Sequence, residues 1–145
     1  MQVCYPLDMK RKIRRSNCPV SFALEVFGDK WTLLIIRDLM FKHKAYYGDF
    51  LESEEKIATN ILANRLSALE ANGLISKVTD PILKNKIIYS LTRKGSDLAP
   101  MLVEMILWST KYDPKTAASQ EFVLEAQQNR KKLLRRIAAG SKYKI

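Results

Sequence analysis

Between Ile57 and Leu91 the hydrophobic pattern switches from helical to alternating within a few residues, and this switch restricts the fold more than any other feature of the chain. Ile57, Leu62, Leu66 and Leu69 fall on one side of a helical wheel, while Asn60, Ala63, Asn64 and Ser67 fall on the other. Gly73 closes this helix, since glycine tolerates the left-handed conformation of a C′ residue. Leu74 to Thr79 then alternates like a strand, Asp80-Pro81 opens a turn, Lys84-Asn85-Lys86 forms a polar tip, and Ile87 to Leu91 returns as a β-branched and aromatic strand. The helix is unusual in its outer face, which is small, polar and nearly uncharged. A merely solvated face usually carries Glu and Lys. Short amide side chains suit close approach to base edges, where Asn can pair bidentately with adenine.

The elements on either side fit around this unit. Pro19 sits in a first helical turn, followed by Val20, Phe22, Ala23, Val26 and Phe27, and Gly28 ends that helix. Asp29 is suited to cap a second helix, Lys30 to Phe41, whose run Trp31 to Phe41 is apolar on most sides and so belongs at the centre of the domain. Trp31 reads as a core anchor and His43, the only histidine, as a solvated turn residue. Tyr46 to Ser53 forms a short helix with Tyr47, Phe50 and Leu51 inward. Together with the helix from Thr59 to Asn72 it makes a helix-turn-helix. Thr92 caps a long helix from Arg93 to Tyr112, where Pro100 imposes a kink or a restart. Leu98, Met101, Leu102, Met105, Ile106 and Trp108 give this helix more apolar surface than one face needs. Either a second copy of the chain covers the excess or the helix packs only on its own domain. After a linker at 113–118, a basic helix from Ser119 to Ala139 carries the stripe Phe122, Ala126, Leu133 and Ile137 and stops at Gly140.

The expected fold is therefore mainly α with one small β-hairpin, a winged helix-turn-helix with a long apolar helix, a dimerisation helix where a second copy covers its excess surface, and a basic C-terminal helix. Residues 1–17 form a basic arm, 18–113 the DNA-binding and dimerisation domain, and 114–145 a basic helical extension. The formal net charge of +10 lies wholly in the ends: +4 over residues 1–17, +6 over 114–145 and zero between. Such an excess favours a polyanion, and nucleic acid is the commonest one. Solubility or a disordered arm is the bland alternative. No apolar run approaches the ~18 residues of a membrane span, and no apolar segment follows the N-terminal charges as in a signal peptide. The expected location is the cytoplasm. Cys4 and Cys18 are too few for a disulfide scaffold and lack zinc spacing. The acidic cluster Glu52, Glu54 and Glu55 has no histidine, Gly-rich loop or metal spacing beside it, and its charge suits the start of the helix that follows. No enzyme, metal site or cofactor is expected.

Cys18-Pro19-Val20, followed by the run Phe27-Gly28-Asp29-Lys30-Trp31-Thr32 and Leu33 to Leu39, resembles the opening signature of HxlR-type transcriptional regulators. Ile57 to Leu66 is similar to that family's recognition helix, and Leu69-Glu70, Gly73-Leu74-Ile75 and Tyr89 to Gly95 to its wing and the start of its dimer helix. The resemblance covers about residues 18 to 112, and it rests on the order and spacing of these motifs together. It implies a winged helix-turn-helix homodimer on operator DNA, dimerising through the N-terminal helix and the long helix after Gly95. It also implies oxidant or electrophile sensing near Cys18, a property of many relatives though not all. The chain departs from the pattern in the first helix of the helix-turn-helix, where Tyr46-Tyr47-Gly48-Asp49-Phe50 replaces Arg-Phe-x-Glu-Leu and removes a backbone-contacting arginine.

Residue roles follow. Asn60 and Asn64 are the expected base readers, with Ile61 and Ala63 near thymine methyls. Thr59, Arg65, Lys77, Lys84 and Lys86 are expected on phosphates, which set position rather than sequence. Phe22, Leu98, Met101, Leu102, Met105 and Trp108 are expected at the dimer interface, and Cys18 as the redox sensor. The partners are double-stranded DNA and a second copy, with no membrane and an unspecified small-molecule effector. The rival reading is an architectural nucleic-acid binder without sequence preference, driven by the two basic ends.

Overall fold

The computed structural model describes residues 15–116 and 118–145. The elements run α1 (Pro19–Phe27), α2 (Thr32–Phe41), α3 (Tyr47–Leu51), α4 (Thr59–Ala71), β1 (Ile75–Thr79), β2 (Ile87–Leu91), α5 (Arg93–Ser96), α6 (Ala99–Tyr112), α7 (Gln120–Gln128) and α8 (Arg130–Ala138). This is the winged helix-turn-helix expected from the sequence: α3 and α4 form the helix-turn-helix and β1–β2 the wing. The two strands pair antiparallel, with Ile75 opposite Leu91 and Thr79 opposite Ile87. Among the described residues no helix is long and apolar enough to cross a membrane.

Helix α2 lies at the centre because Ile35, Ile36, Leu39, Met40 and Phe41 leave it few polar sides. All five are buried in one cluster with Phe50, Leu62, Leu66, Leu69, Leu74, Ile75, Leu102 and Val103. The helix begins at Thr32, two residues later than the pattern suggests, because Asp29 spends its carboxylate on the turn before it. The Asp29 Oδ1 accepts the N–H groups of Trp31 and Thr32 at 2.9 Å each, and its Oδ2 accepts the Thr32 hydroxyl at 2.5 Å. Burial opposes ionisation here, but those hydrogen bonds and Arg65 outweigh it and hold the Asp29 carboxyl below its usual range. Trp31 is half-buried against the core, with the Lys30 ammonium 5.1 Å from its ring centre.

Two corrections to the sequence reading concern helix continuity and a turn, and one open expectation is resolved. Of the kink or restart expected at Pro100, the structure shows the restart, so 93–112 is two helices: Asp97 and Leu98 end α5 and Pro100 lies in the first turn of α6. The expected helix from Ser119 to Ala139 is also two. Asn129 leaves helical geometry (φ −147°, ψ 65°), and its side chain accepts the Lys132 N–H at 3.2 Å, so it caps α8 instead of continuing α7. The break lets α7 and α8 pack on each other and both pack on α6. Phe122, Ala126, Leu133 and Ile137 enter the same core cluster as α2. His43 is not simply solvated: it is half-buried, its φ is +51°, and its Nε2 lies 3.5 Å from the Ser141 carbonyl oxygen. Two glycines are dictated by position. Gly73 has φ +70° after α4, as its C′ role requires, and Gly95 meets the backbone of Leu74 so closely that a Cβ there would lie 2.1 Å from the Leu74 oxygen.

Candidate nucleic-acid interface

Helix α4 buries Leu62, Leu66 and Leu69, and this fixes which side faces out. Thr59, Asn60, Ala63, Asn64 and Ser67 are all exposed on that outer side. Ile57 is buried just before the helix, as its apolar position requires. Ile61, expected beside thymine methyls, is half-buried and packs against the core, so it presents less of itself than Ala63 does. The start of α4 is fixed from α3, where the Tyr47 hydroxyl donates to the Thr59 carbonyl at 2.7 Å.

The five residues expected on phosphates separate into two groups. The Arg65 guanidinium lies 3.3 Å from Asp29 Oδ2 and donates to the Asn64 Oδ1 from Nε at 3.2 Å and Nη2 at 2.5 Å. It ties α4 to the turn before α2 and orients the Asn64 amide, so its charge is partly spent inside the protein. Lys77 pairs with Glu70 at 3.2 Å, while exposed Lys84 has no ion pair among the described residues. The Lys86 ammonium lies 5.1 Å from the Tyr46 ring centre.

The tyrosines that replace the family's Arg-Phe pattern have roles that sequence reasoning missed. Tyr46 donates its hydroxyl to Asp80 Oδ2 at 2.6 Å, across from α3 to the wing. Asp80 is only 5% exposed, and its Oδ1 accepts the N–H groups of Ile82 and Leu83 at 2.8 and 2.9 Å. The Tyr46 hydroxyl first, then those two backbone groups, hold the Asp80 carboxyl below its usual range. Asp80 followed by Pro81 was legible as a turn; its reach to an aromatic hydroxyl 34 residues earlier in the chain was not. A second missed cluster braces the helix-turn-helix from behind. Buried Asp38 accepts Arg37 Nε at 2.8 Å, Lys44 Nζ at 3.1 Å and the Ser53 hydroxyl at 2.5 Å. Arg37 also reaches Glu55 with two nitrogens, at 2.5 and 3.1 Å. The signal that could have found it is a charged pair, Arg37-Asp38, inside an otherwise apolar helix.

The expected dimer residues are not equivalent either. Phe22 and Met105 are exposed, and Trp108 is 67% exposed. Leu98 and Met101 are half-buried, and Leu102 is buried in the chain's own core. Cys18 is an exposed free thiol at the residue before α1. Cys4 and the arm cations Lys10, Arg11, Lys12 and Arg14 lie outside the described residues. Among the described residues no three His, Cys, Asp or Glu side chains come together as a metal site would need.

Comparison with known proteins agrees with this architecture. The chain is 32% identical over 88 residues to the HTH-type transcriptional regulator sll1512 of Synechocystis sp., and the match spans 64% of that protein's length and 61% of this chain. It is 33% identical over 96 residues to the HTH-type transcriptional regulator YodB of Bacillus subtilis, covering 66% of this chain and 85% of YodB. The reduced form of YodB superposes with a TM-score of 0.55 at 31% identity, over 68% of this chain and 98% of that one; YodB structures also exist in diamide-treated and quinone-bound forms. The crystal structure of PA1607, a putative transcription factor, superposes with a TM-score of 0.64 at 34% identity, over 74% of this chain and 78% of that one. Residues 26–117 match the family model described as HxlR-like helix-turn-helix. With its α3–α4 pair, its wing and its long apolar helix, the chain belongs to the HxlR-like helix-turn-helix family of transcriptional regulators.

Proposed function

We propose that the protein is a homodimer that binds a pseudo-palindromic operator in the cytoplasm and reads it with α4. The exposed amide face of α4 carries this reading, since Asn60 and Asn64 are both exposed on it beside the small residues Ala63 and Ser67, the Asn64 amide being oriented by Arg65. Two copies of α4 would enter successive major grooves roughly 34–36 Å apart. Asn60 and Asn64 would read bases, with Ala63 and part of Ile61 against thymine methyls. Thr59, Lys84 and Lys86 would hold phosphates, joined by Arg65 and Lys77 on exchange of their carboxylate partners. Exposed apolar side chains on α1 and α6, Phe22, Met105 and Trp108 among them, support a dimer face there, with Leu98 and Met101 at its edge and Leu102 beneath it. The basic ends, 1–17 and 114–145, would add sequence-independent attraction to the domain at 18–113.

Selection of bound fragments from a random DNA pool by the purified chain tests this, and enrichment of a two-fold symmetric site is the expected result. Asn64→Ala should then reduce discrimination between operator and random DNA by about 1–3 kcal/mol. Lys84→Ala should weaken both kinds of binding alike and flatten the salt dependence. Equal losses on both DNAs for Asn64→Ala would remove its reading role. A pool that returns no symmetric site, bound with a steep salt slope, would favour the architectural rival.

The exposure of the Cys18 thiol, with the diamide-treated and quinone-bound forms of YodB, supports a second layer, control by oxidation or alkylation at Cys18. Mild diamide should change operator affinity in the native chain and not in Cys18→Ser. Unchanged affinity after mass spectrometry has shown Cys18 modified would exclude the idea.

A further inference from the structure

The turn of the wing carries a feature that phosphate contact does not need. Ile82, at its apex, is 86% exposed, more than any other large apolar side chain among the described residues, and Val78, Leu83 and Ile87 around it are exposed as well. This apex is held rather than loose. Asp80 anchors the N–H groups of Ile82 and Leu83, the Leu83 carbonyl accepts the Lys86 N–H at 2.7 Å, and the Lys86 carbonyl accepts the Asp80 N–H at 2.9 Å. The electrostatics are one-sided too. Asp80 is the only acid in the sequence from Gly73 to Thr92 and it is buried, whereas Lys77, Lys84 and Lys86 are exposed. The outside of the wing is an apolar apex next to the exposed Lys84, with Lys86 over the Tyr46 ring and Lys77 paired with Glu70 farther down the hairpin.

We propose that Ile82 is a wedge that enters the DNA minor groove beside each half-site and partly unstacks a base step there. The inference rests on the DNA-binding reading above. An apolar apex with Lys84 beside it and no exposed acid on the hairpin matches a polyanion with an uncharged furrow, which describes the minor groove: two phosphate rows bound a floor of base edges and walls of sugar. Branched aliphatic side chains serve as such wedges, and they kink the duplex toward the major groove. The wing follows α4 in the chain and α4 packs on β1, so a duplex seated on α4 passes beside the hairpin. Pyrimidine–purine steps unstack most readily, so Ile82 would add a preference for TA or CA/TG steps at positions that no side chain hydrogen-bonds. Ile82 would thus determine part of the specificity without any polar contact to a base.

The experiment uses the full chain and a selected operator duplex carrying 2-aminopurine at the flanking steps, with a donor and acceptor dye at its ends. Binding should raise the 2-aminopurine fluorescence and shorten the end-to-end distance. Ile82→Ala should lose most of both signals and bind the operator about tenfold more weakly, the order of one lost base-pair preference. Its salt slope should match the native one, because no charge is removed. Lys84→Ala should do the opposite, keeping the fluorescence rise and flattening the slope. A side chain this exposed is not part of the core, and an unchanged thermal melt of the variant checks that. Native affinity and bend in Ile82→Ala, or no fluorescence rise with the native chain, would overturn the wedge while leaving DNA binding intact, and would assign the apex to a protein contact. A native chain that selects no duplex overturns both readings.

Discussion

Phe122→Ala should destabilise the whole protein by about 3–5 kcal/mol, a large share of the stability of a small domain. Phe122 has no solvent exposure. Its ring meets Phe41 of α2 edge-on at 6.1 Å and Tyr143 at 5.3 Å. Truncation removes the transfer free energy of the ring and leaves a cavity between Phe41 and Tyr143. The same substitution at Leu124, exposed on the same helix, should change stability by less than about 0.5 kcal/mol. Urea unfolding followed by far-ultraviolet dichroism would show one transition, moved to lower urea for Phe122→Ala. A main transition at its native midpoint, with a separate early loss of helix, would mean that α7 and α8 form an independent appendage.

Asp38→Ala should cost about 3–5 kcal/mol, the range seen when one partner of a buried ion pair is removed and the other stays. Asp38 is 2% exposed and answers Arg37, Lys44 and Ser53 together. Without it two cations and a hydroxyl face one another behind the turn between α3 and α4. The damage should therefore reach DNA binding as well as stability, although Asp38 lies on no DNA-facing surface. Hydrogen exchange at residues 51–58 would rise more than exchange in α6; equal rises throughout would mean simple global destabilisation. The outer member of the network gives a pH signature. Hydrogen bonding to Arg37 lowers the Glu55 carboxyl to about 2. A carboxylate depressed in the folded state contributes stability that is full above its ordinary pKa, near 4.5, and lost as pH falls from there through about 2. Glu55→Gln should flatten the stability profile in that window, lowering stability by a constant amount above it and converging on the native chain as pH approaches 2.

The sequence disclosed the elements that obey a period. The inward leucines of α4, the glycine after α4 and the apolar saturation of α2 each state their environment locally, and the order of α1 to α6 follows from them; the alternation read in β1 gives its strand but not its environment, since only Ile75 of that strand is buried. The stripe of Phe122, Ala126, Leu133 and Ile137 was legible as well, but it is compatible with a straight helix and with a broken one. Only the local competition of the Asn129 side chain for the Lys132 N–H decides between them. The site was less legible than the fold. Arg65 and Lys77 have the right charge in the right elements, yet Asp29 and Glu70 claim them through contacts between distant parts of the chain or across element boundaries. Tyr46 and Asp80 are unremarkable in sequence, and their partnership exists only because α3 and the wing turn meet in space.

That partnership has a thermodynamic consequence. Loops that order only on contact surrender conformational entropy at the moment of association, which weakens the complex for a given buried area. Here the turn of the wing has already surrendered it during folding, through Asp80 to Tyr46 and to its own backbone, and the start of α4 has done the same through Tyr47. Helix and hairpin arrive as one stiff surface. Complex formation should then show a heat-capacity change matching rigid-body burial, without the added component of coupled folding.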